Sequence, residues 1–375
     1  MYALPSFGGM VGRGVRYAAY AAALRRFVGD ATTVLDLGCG PGFWAVIAAQ
    51  CGASRVYAIE PDESIKWGEE AARHLGLADR IRFFRGMSAD VELPEQVDCI
   101  VSDLRGCLPL FAGHLPSIVD ARARLLKPGG RQIGTCDTMW AAIVQSPRFY
   151  RKLTEPWLKK EWKGAYAPAL VVILNQSYKD RFKRSTLLSK PACWATLDYA
   201  TIESPDVAAQ VELRVERAGT GHGIGLWFDA DLGDGIRFSN APGEPELVYG
   251  RLVLPWLKPV ALKAGDRVRL DIRARFVNGD YVWAWSTELP GKARFDQNTL
   301  HTLAASTGEL KKRASNAVPT LSEDAAIDAL ILTKLDGRAS VIDAASAAMA
   351  AYPGRFKNAA EAVSRVGDLA VKYGR

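Results

Sequence analysis

Hydrophobic and polar positions are patterned in three different ways along the chain. Through the first third, short apolar runs alternate with amphipathic stretches of helical length. Thr33–Leu37, Arg55–Glu60, Ile81–Arg85, Val97–Ser102 and Arg131–Thr135 read as five strands. Trp44–Gln50 and Ser64–Leu75 read as helices, the second with Gly76 as its C-cap. Leu108–Leu126 reads as largely helical, with Pro109 and Pro116 near its start and Lys127-Pro-Gly-Gly130 as its stop. Strands and helices alternating at this spacing predict an α/β fold with a parallel, doubly wound sheet.

From about residue 136 the rhythm shortens. Trp194–Ala200, Ala209–Arg217, Ile224–Asp231, Glu246–Leu254, Arg267–Phe276 and Tyr281–Thr287 are rich in β-formers. Turn residues such as Gly233-Asp-Gly and Asn278-Gly-Asp separate them. This pattern predicts an antiparallel sandwich or barrel. From about residue 293 the chain becomes Ala-rich and helical. Three helices are expected, the first capped at Ser322 and ending near Gly337, the others over Ser340–Ala351 and Asn358–Tyr373. The expected division is therefore 1–135, 136–292 and 293–375, with no internal repeat.

Length and composition support a multidomain globular chain. At about 150 residues per domain, 375 residues give two or three domains. The 49% apolar and 24% charged content excludes a disordered or collagenous chain. No apolar run approaches the roughly 20 residues of a membrane helix, and Met1–Gly9 lacks the regions of a signal peptide. A soluble, cytoplasmic protein with no membrane partner is expected. The six cysteines (39, 51, 99, 107, 136, 193) and four histidines (74, 114, 222, 301) are dispersed, which argues against a zinc site or a disulfide framework, and no metal is expected. The net charge of +7 permits an acidic partner without requiring one.

The stretch that carries chemistry is Asp36-Leu-Gly38-Cys-Gly40-Pro-Gly42, which follows a strand and opens a helix. Glycines there allow a tight turn and close approach of backbone to a ligand. The second strand ends in Glu60, 18 residues beyond Gly42, where a carboxylate can accept both hydroxyls of an adenosine ribose. The G-x-G-x-G spacing lacks the third glycine of a dinucleotide fingerprint, and no Walker loop is present.

These residues resemble the first motif of class I S-adenosylmethionine-dependent methyltransferases. Val56-Tyr-Ala-Ile-Glu60 is similar to their second motif, and Leu126-Lys-Pro-Gly-Gly130 to the turn before their fifth strand. Within that class the chain resembles the protein arginine methyltransferases over about residues 7–290. Met10–Tyr20 resembles the helix that family lays over the cofactor, Gly86–Pro94 its loop after strand three, and Trp227–Asp231 and Trp256–Arg267 its β-barrel. The resemblance implies a Rossmann-like domain followed by a β-barrel, with S-adenosyl-L-methionine as cofactor. It implies that Arg16 pairs with the cofactor's carboxylate, that Asp36, Gly38 and Gly40 form the glycine-turn side of the site, that Glu60 holds the ribose, and that Met87 and Ser88 lie against adenine.

The loop after strand four departs from the family. The resembled enzymes place two glutamates there to hold an arginine side chain. Asp103 stands at the first position, Ala112 at the second, and Arg105 lies between. Leu247-Val248-Tyr249 stands where the family has Thr-His-Trp. Asp103 is the candidate catalytic or orienting carboxylate, and His114 is a weaker candidate. Two basic, aromatic-rich stretches, Arg148–Lys163 and Lys179–Arg184, fit the family's dimerisation arm (about 145–190) better than a surface for single-stranded RNA. Leu335–Ala344 and Tyr352–Phe356 faintly resemble small winged-helix peptide-binding domains, although a capping helical bundle is the favoured reading. The expected function is methyl transfer to a nitrogen of a protein or peptide. Small-molecule or RNA methylation, and non-catalytic cofactor or peptide binding, stay open. A homodimer is expected from the arm.

Overall fold

Strand β1 (Thr33–Leu37) is buried along its whole length, as a central strand covered on both faces must be. Beside it run β2 (Arg55–Glu60), β3 (Ile81–Arg85), β4 (Val97–Ser102) and β5 (Leu126–Ile133), all parallel, in the order β3-β2-β1-β4-β5. The order reverses between β1 and β4. Ligands of such sheets bind at that switch point, beyond the carboxyl ends of the strands. The computed structural model describes every residue except 1–3, 12–13, 290, 292, 302–307, 309–310, 313 and 375. Gly12 and Arg13 of the amino-terminal motif therefore lie outside the described residues, as does Pro290 at the end of the resembling segment.

Helices α1 (Leu4–Val11) and α2 (Val15–Phe27) precede β1, and α3 (Phe43–Gln50) opens directly from the glycine turn. Helix α4 (Ile65–His74) lies between β2 and β3. Two elements differ from the sequence expectation. Helix α5 spans His114–Arg124, starting six residues later than expected. Pro109 stays in the preceding loop, whereas Pro116 sits in the first turn, where no backbone N–H is needed. Strand β5 begins at Leu126, not Arg131. Lys127-Pro-Gly-Gly130 is carried within the strand by a register shift against β4, which an edge strand tolerates.

The second half forms two antiparallel sheets. The strands are β6 (Cys136–Val144), β7 (Tyr178–Asp180), β8 (Ala192–Asp198), β9 (Val207–Arg214), β10 (Gly219–Asp231), β11 (Arg237–Ser239), β12 (Arg251–Leu262), β13 (Arg267–Val277), β14 (Asp280–Leu289) and β15 (Ala293–Asn298). One sheet runs β7-β12-β10-β6-β8 with β11 on β10, and the other β15-β14-β13-β9. Asn278 and Gly279 both adopt positive φ in the two-residue turn between β13 and β14, the type I′ chemistry their sequence announces. Trp256, Leu270, Ile272 and Trp285 fill the shared core.

Three strand limits correct the sequence reading. β6, between Gly134 and Ser146-Pro147, is not assigned from the sequence. β12 starts after Gly250, whose φ of 62° makes the turn, and runs through Pro255 by a bulge opposite Gly221 and Gly223. β15 pairs with β14, so Ala293–Asn298 belongs to the sheet and not to the helical module. The chain divides into two units, Met1–Thr302 and Leu303–Arg375.

In the second unit the three helices occupy Glu323–Lys334, Val341–Ala351 and Ala359–Tyr373. Ser322, Ser340 and Asn358 cap them through their side chains, Ser340 in a full capping box with Asp343. Ile327, Ile331, Ala348 and Val366 form their small core. No strand is present among its described residues, so nothing there corresponds to a wing. Among all described residues, no helix is long and apolar enough to cross a membrane.

Candidate active site

The carboxyl ends of β1, β2 and β4 converge on the switch point. After β1, Gly38, Gly40 and Gly42 adopt φ of 73°, 52° and 73°. A Cβ on Gly38 would lie 2.2 Å from Leu104 Cδ2, and one on Gly40 would lie 2.9 Å from Phe7 Cε1. The left-handed conformation favours glycine at both positions, and an added Cβ would also push aside the Leu104 and Phe7 side chains. The backbone N–H groups of Gly38 and Cys39 donate to the Ile59 carbonyl at 3.0 Å, stitching the turn to the end of β2.

Glu60 closes that stitch. Its Oε2 accepts from the Gly40 N–H at 2.9 Å and its Oε1 from the Asp62 N–H at 3.0 Å. One carboxylate thus joins the glycine turn to the β2–α4 loop and stays partly exposed at the rim. Asp36 supports the turn from below. It is fully buried, and its Oδ2 accepts from the Ala45 N–H at 2.8 Å, capping α3. Its Oδ1 has no partner. Burial, with smaller contributions from Glu60 and Asp103, pushes its carboxyl up to about 8 against the opposing Ala45 hydrogen bond.

Arg16 and Asp103 meet. The Arg16 guanidinium donates to Asp103 Oδ2 and to the Met10 carbonyl, and lies over the rings of Trp44 and Tyr249 at 5.6 and 5.7 Å. Burial opposes its charge, but Asp103 and Tyr249 outweigh burial and raise its pKa. Tyr249 donates its hydroxyl to Asp103 Oδ1.

Behind this pair lies a second network that sequence reasoning missed. Arg105 turns inward, donating to Asp137 through Nε (2.6 Å) and Nη2 (3.0 Å) and to the Tyr20 hydroxyl through Nη1 (2.6 Å). Tyr20 in turn donates to the Ser102 carbonyl at 2.8 Å and stacks on Trp44 at 4.7 Å. Tyr199 donates to Asp137 and lies 2.9 Å from His114 Nε2. Burial and then Arg105 hold His114 well below the usual imidazole range, so it is a neutral structural group. Asp137 lies 32 residues beyond Arg105 on β6, and no local signal in the sequence could have joined them.

Met87 is half exposed at the rim, and Ser88 is buried at the start of a short 3₁₀ turn, with its carbonyl accepting from Arg124. Ala112 adopts a positive φ of 42°. Among the described residues, no three His, Cys, Asp or Glu side chains are placed to hold a metal ion.

This constellation fits a nucleoside cofactor. It has glycines that admit backbone approach, a rim carboxylate suited to ribose hydroxyls, a guanidinium for a carboxylate, a half-exposed Met87 for a base, and an unpartnered buried oxygen on Asp36.

Fold and site together define a class I methyltransferase architecture, and residues 34–130 match the family model described as a methyltransferase domain. The chain resembles the protein arginine N-methyltransferases in particular. It is 28% identical over 214 residues to "Probable protein arginine N-methyltransferase 6" of Arabidopsis thaliana, covering 54% of this chain and 48% of that protein. It is 28% identical over 205 residues to "Protein arginine N-methyltransferase 2" of Dictyostelium discoideum, covering 52% and 40%. The chain thus spans about half the length or less of these curated relatives.

Two solved structures share the fold. The Trypanosoma brucei PRMT1 enzyme-prozyme heterotetrameric complex with AdoHcy gives a TM-score of 0.71 at 20% identity, covering 78% of this chain and 96% of that one. Arabidopsis thaliana protein arginine methyltransferase 10 gives 0.68 at 22%, covering 79% and 97%. At these identities the likeness is one of fold.

Proposed function

We propose that the protein is an S-adenosylmethionine-dependent methyltransferase acting on a nitrogen of a protein or peptide. The observation that carries this reading is the Glu60 carboxylate, held by the Gly40 and Asp62 N–H groups beside three left-handed glycines at the switch point. The bound cofactor supplies an electrophilic methyl group on a sulfonium. Glu60 accepts from the ribose hydroxyls with the lone pairs its two backbone bonds leave free. Arg16 offers its remaining N–H groups to the cofactor's carboxylate. Met87 presents an apolar face to the base. Asp103, fixed by Arg16 and Tyr249, faces the acceptor side and orients it.

The relatives' names support a protein substrate. A homodimer is supported by the segment 145–190, where Trp157, Leu158, Trp162, Tyr166 and Val171 expose apolar surface. Nucleic acid is the less favoured partner.

Ligand-dependent unfolding tests the donor reading. S-adenosylhomocysteine at 100 times its Kd is expected to stabilise the protein by about 2.7 kcal/mol. No shift of the unfolding midpoint at millimolar ligand would exclude the site.

A further inference from the structure

The loop after β4, residues 103–113, carries Asp103 and runs from Ser102 at the strand's end to His114 at the start of α5. Both of its ends are fastened by one buried chain of hydrogen bonds. At the first end, Arg105 Nη1 donates to the Tyr20 hydroxyl at 2.6 Å, and Tyr20 donates to the Ser102 carbonyl at 2.8 Å. At the other end, Tyr199 spends its one proton on Asp137, so His114 Nε2, 2.9 Å away, is the donor to Tyr199. The Arg105–Asp137 pair joins the two halves through a fork, from Nε at 2.6 Å and from Nη2 at 3.0 Å. Tyr20, Arg105, His114, Asp137 and Tyr199 are all buried.

Asp103 rests against this frame. Its Oδ1 takes the Tyr249 hydroxyl and lies 3.6 Å from Arg105 Nη1, while its Oδ2 takes Arg16. The Arg105 guanidinium is itself confined. The rings of Tyr199 and Phe238 lie 5.6 and 5.9 Å from it, and a Cβ on Gly134 would lie 3.3 Å from Nη2. The middle of the loop is held separately. Asn240 donates to the Cys107 carbonyl at 3.0 Å, and the Cys107 thiol donates to the Tyr249 carbonyl at 3.0 Å. The pair is neutral as a unit and lies behind the site, so what it supplies is geometry.

We infer that Arg105 and Asp137 are positioning residues for methyl transfer: together they set the loop after β4, and through it the place of Asp103 beside Arg16 and Tyr249. This rests on the methyl-donor reading above. A carboxylate that orients an acceptor has little tolerance, since a misplacement of about 1 Å costs on the order of 10²-fold in rate. Arginine suits the task because its planar fork fixes several partners in set directions at once, which a lysine ammonium does not.

The test compares the full-length wild type with the double variant Arg105→Met, Asp137→Leu, which leaves no buried charge unpaired. Native alkylation by iodoacetamide, read at each cysteine by mass spectrometry, reports the loop without any substrate. Cys107 is half-buried in the loop, and Cys99, buried in β4, reports opening of the whole unit. Cys107 is expected to react about tenfold faster in the variant, with Cys99 unchanged. An unchanged rate at Cys107 would overturn the inference. So would a rise at Cys99 equal to that at Cys107, which would make the pair a stability element only. Transfer from methyl-labelled S-adenosylmethionine to the protein fraction of a cell extract is measured alongside. The variant's kcat is expected to fall about tenfold or more, with its KM for the cofactor within about threefold of wild type. An unchanged kcat, or a loss confined to KM, would overturn the positioning role. Calorimetry showing no cofactor binding by the wild type would overturn the donor reading, and the Cys107 rates would still decide whether the pair sets the loop.

Discussion

Replacing Asp137 by asparagine tests whether the network behind the site holds the two halves of the first unit together. The carboxylate is fully buried and receives Arg105 through both oxygens and Tyr199 through one. Asparagine keeps the shape but removes the charge, and turns an N–H₂ group toward donors. The Arg105 guanidinium, 1% exposed, is then left buried without its counter-ion. Breaking a buried pair in this way costs about 3–5 kcal/mol. All ten tryptophans lie between residues 44 and 285, so urea unfolding followed by their fluorescence reports the first unit alone. The expected loss is about 3–5 kcal/mol at neutral pH. The double variant Arg105→Met, Asp137→Leu should recover more than half of it, because an apolar pair of similar volume leaves no charge unpaired. A loss below about 1 kcal/mol for Asp137→Asn would refute the argument, since that is the scale of an ordinary neutral hydrogen bond.

Other outcomes follow from single positions. Asp36 is pushed up to about 8 by burial, so between pH 4 and 8 the folded state holds a proton that the unfolded state has released. Stability therefore falls as pH rises through that window. Asp36→Asn is expected to flatten the fall in melting temperature between pH 5 and 8, and an unchanged slope would mean that another group carries it. Gly40→Ala places a side chain at φ 52° facing Phe7 and is expected to cost about 1–2 kcal/mol in thermal unfolding, with weaker cofactor binding. Ser340→Ala removes the capping box of Val341–Ala351 and should cost about 1 kcal/mol, measured by far-UV circular dichroism on the full chain.

Some of this molecule is legible in its sequence, and the reasons are local. The strand–glycine–helix turn at residues 33–50, Asn278-Gly279 and the caps Ser322, Ser340 and Asn358 act within a few residues of themselves, and Glu60 is marked by its place at the end of β2 although its bond to Gly40 spans 20 residues. The elements that were misplaced depend on distant partners. Pro255 reads as a strand stop until a bulge against β10 accommodates it. Lys127-Pro-Gly-Gly130 reads as a turn until its edge position lets the strand pass through it. Ala293–Asn298 is a strand because β14 needs a neighbour.

The site divides along the same line. Arg16, Asp103 and Glu60 could be named from motifs, but the pairing of Arg16 with Asp103 could not. Arg105 looked like a stray cation beside the acceptor. Only the fold turns it inward to Asp137, Tyr20 and Tyr199, which are 32, 85 and 94 residues away. Asp36 looked like a cofactor ligand, and in the fold its first task is to cap α3.

Glu60 is expected to grip the cofactor's ribose. Isothermal titration of S-adenosylmethionine into the wild type and Glu60→Ala, each checked for an unchanged circular dichroism spectrum, tests it most directly. Each charge-assisted hydrogen bond lost is worth about 1.5–3 kcal/mol, so the variant's Kd should rise at least tenfold. Equal tight binding by both proteins would contradict the account.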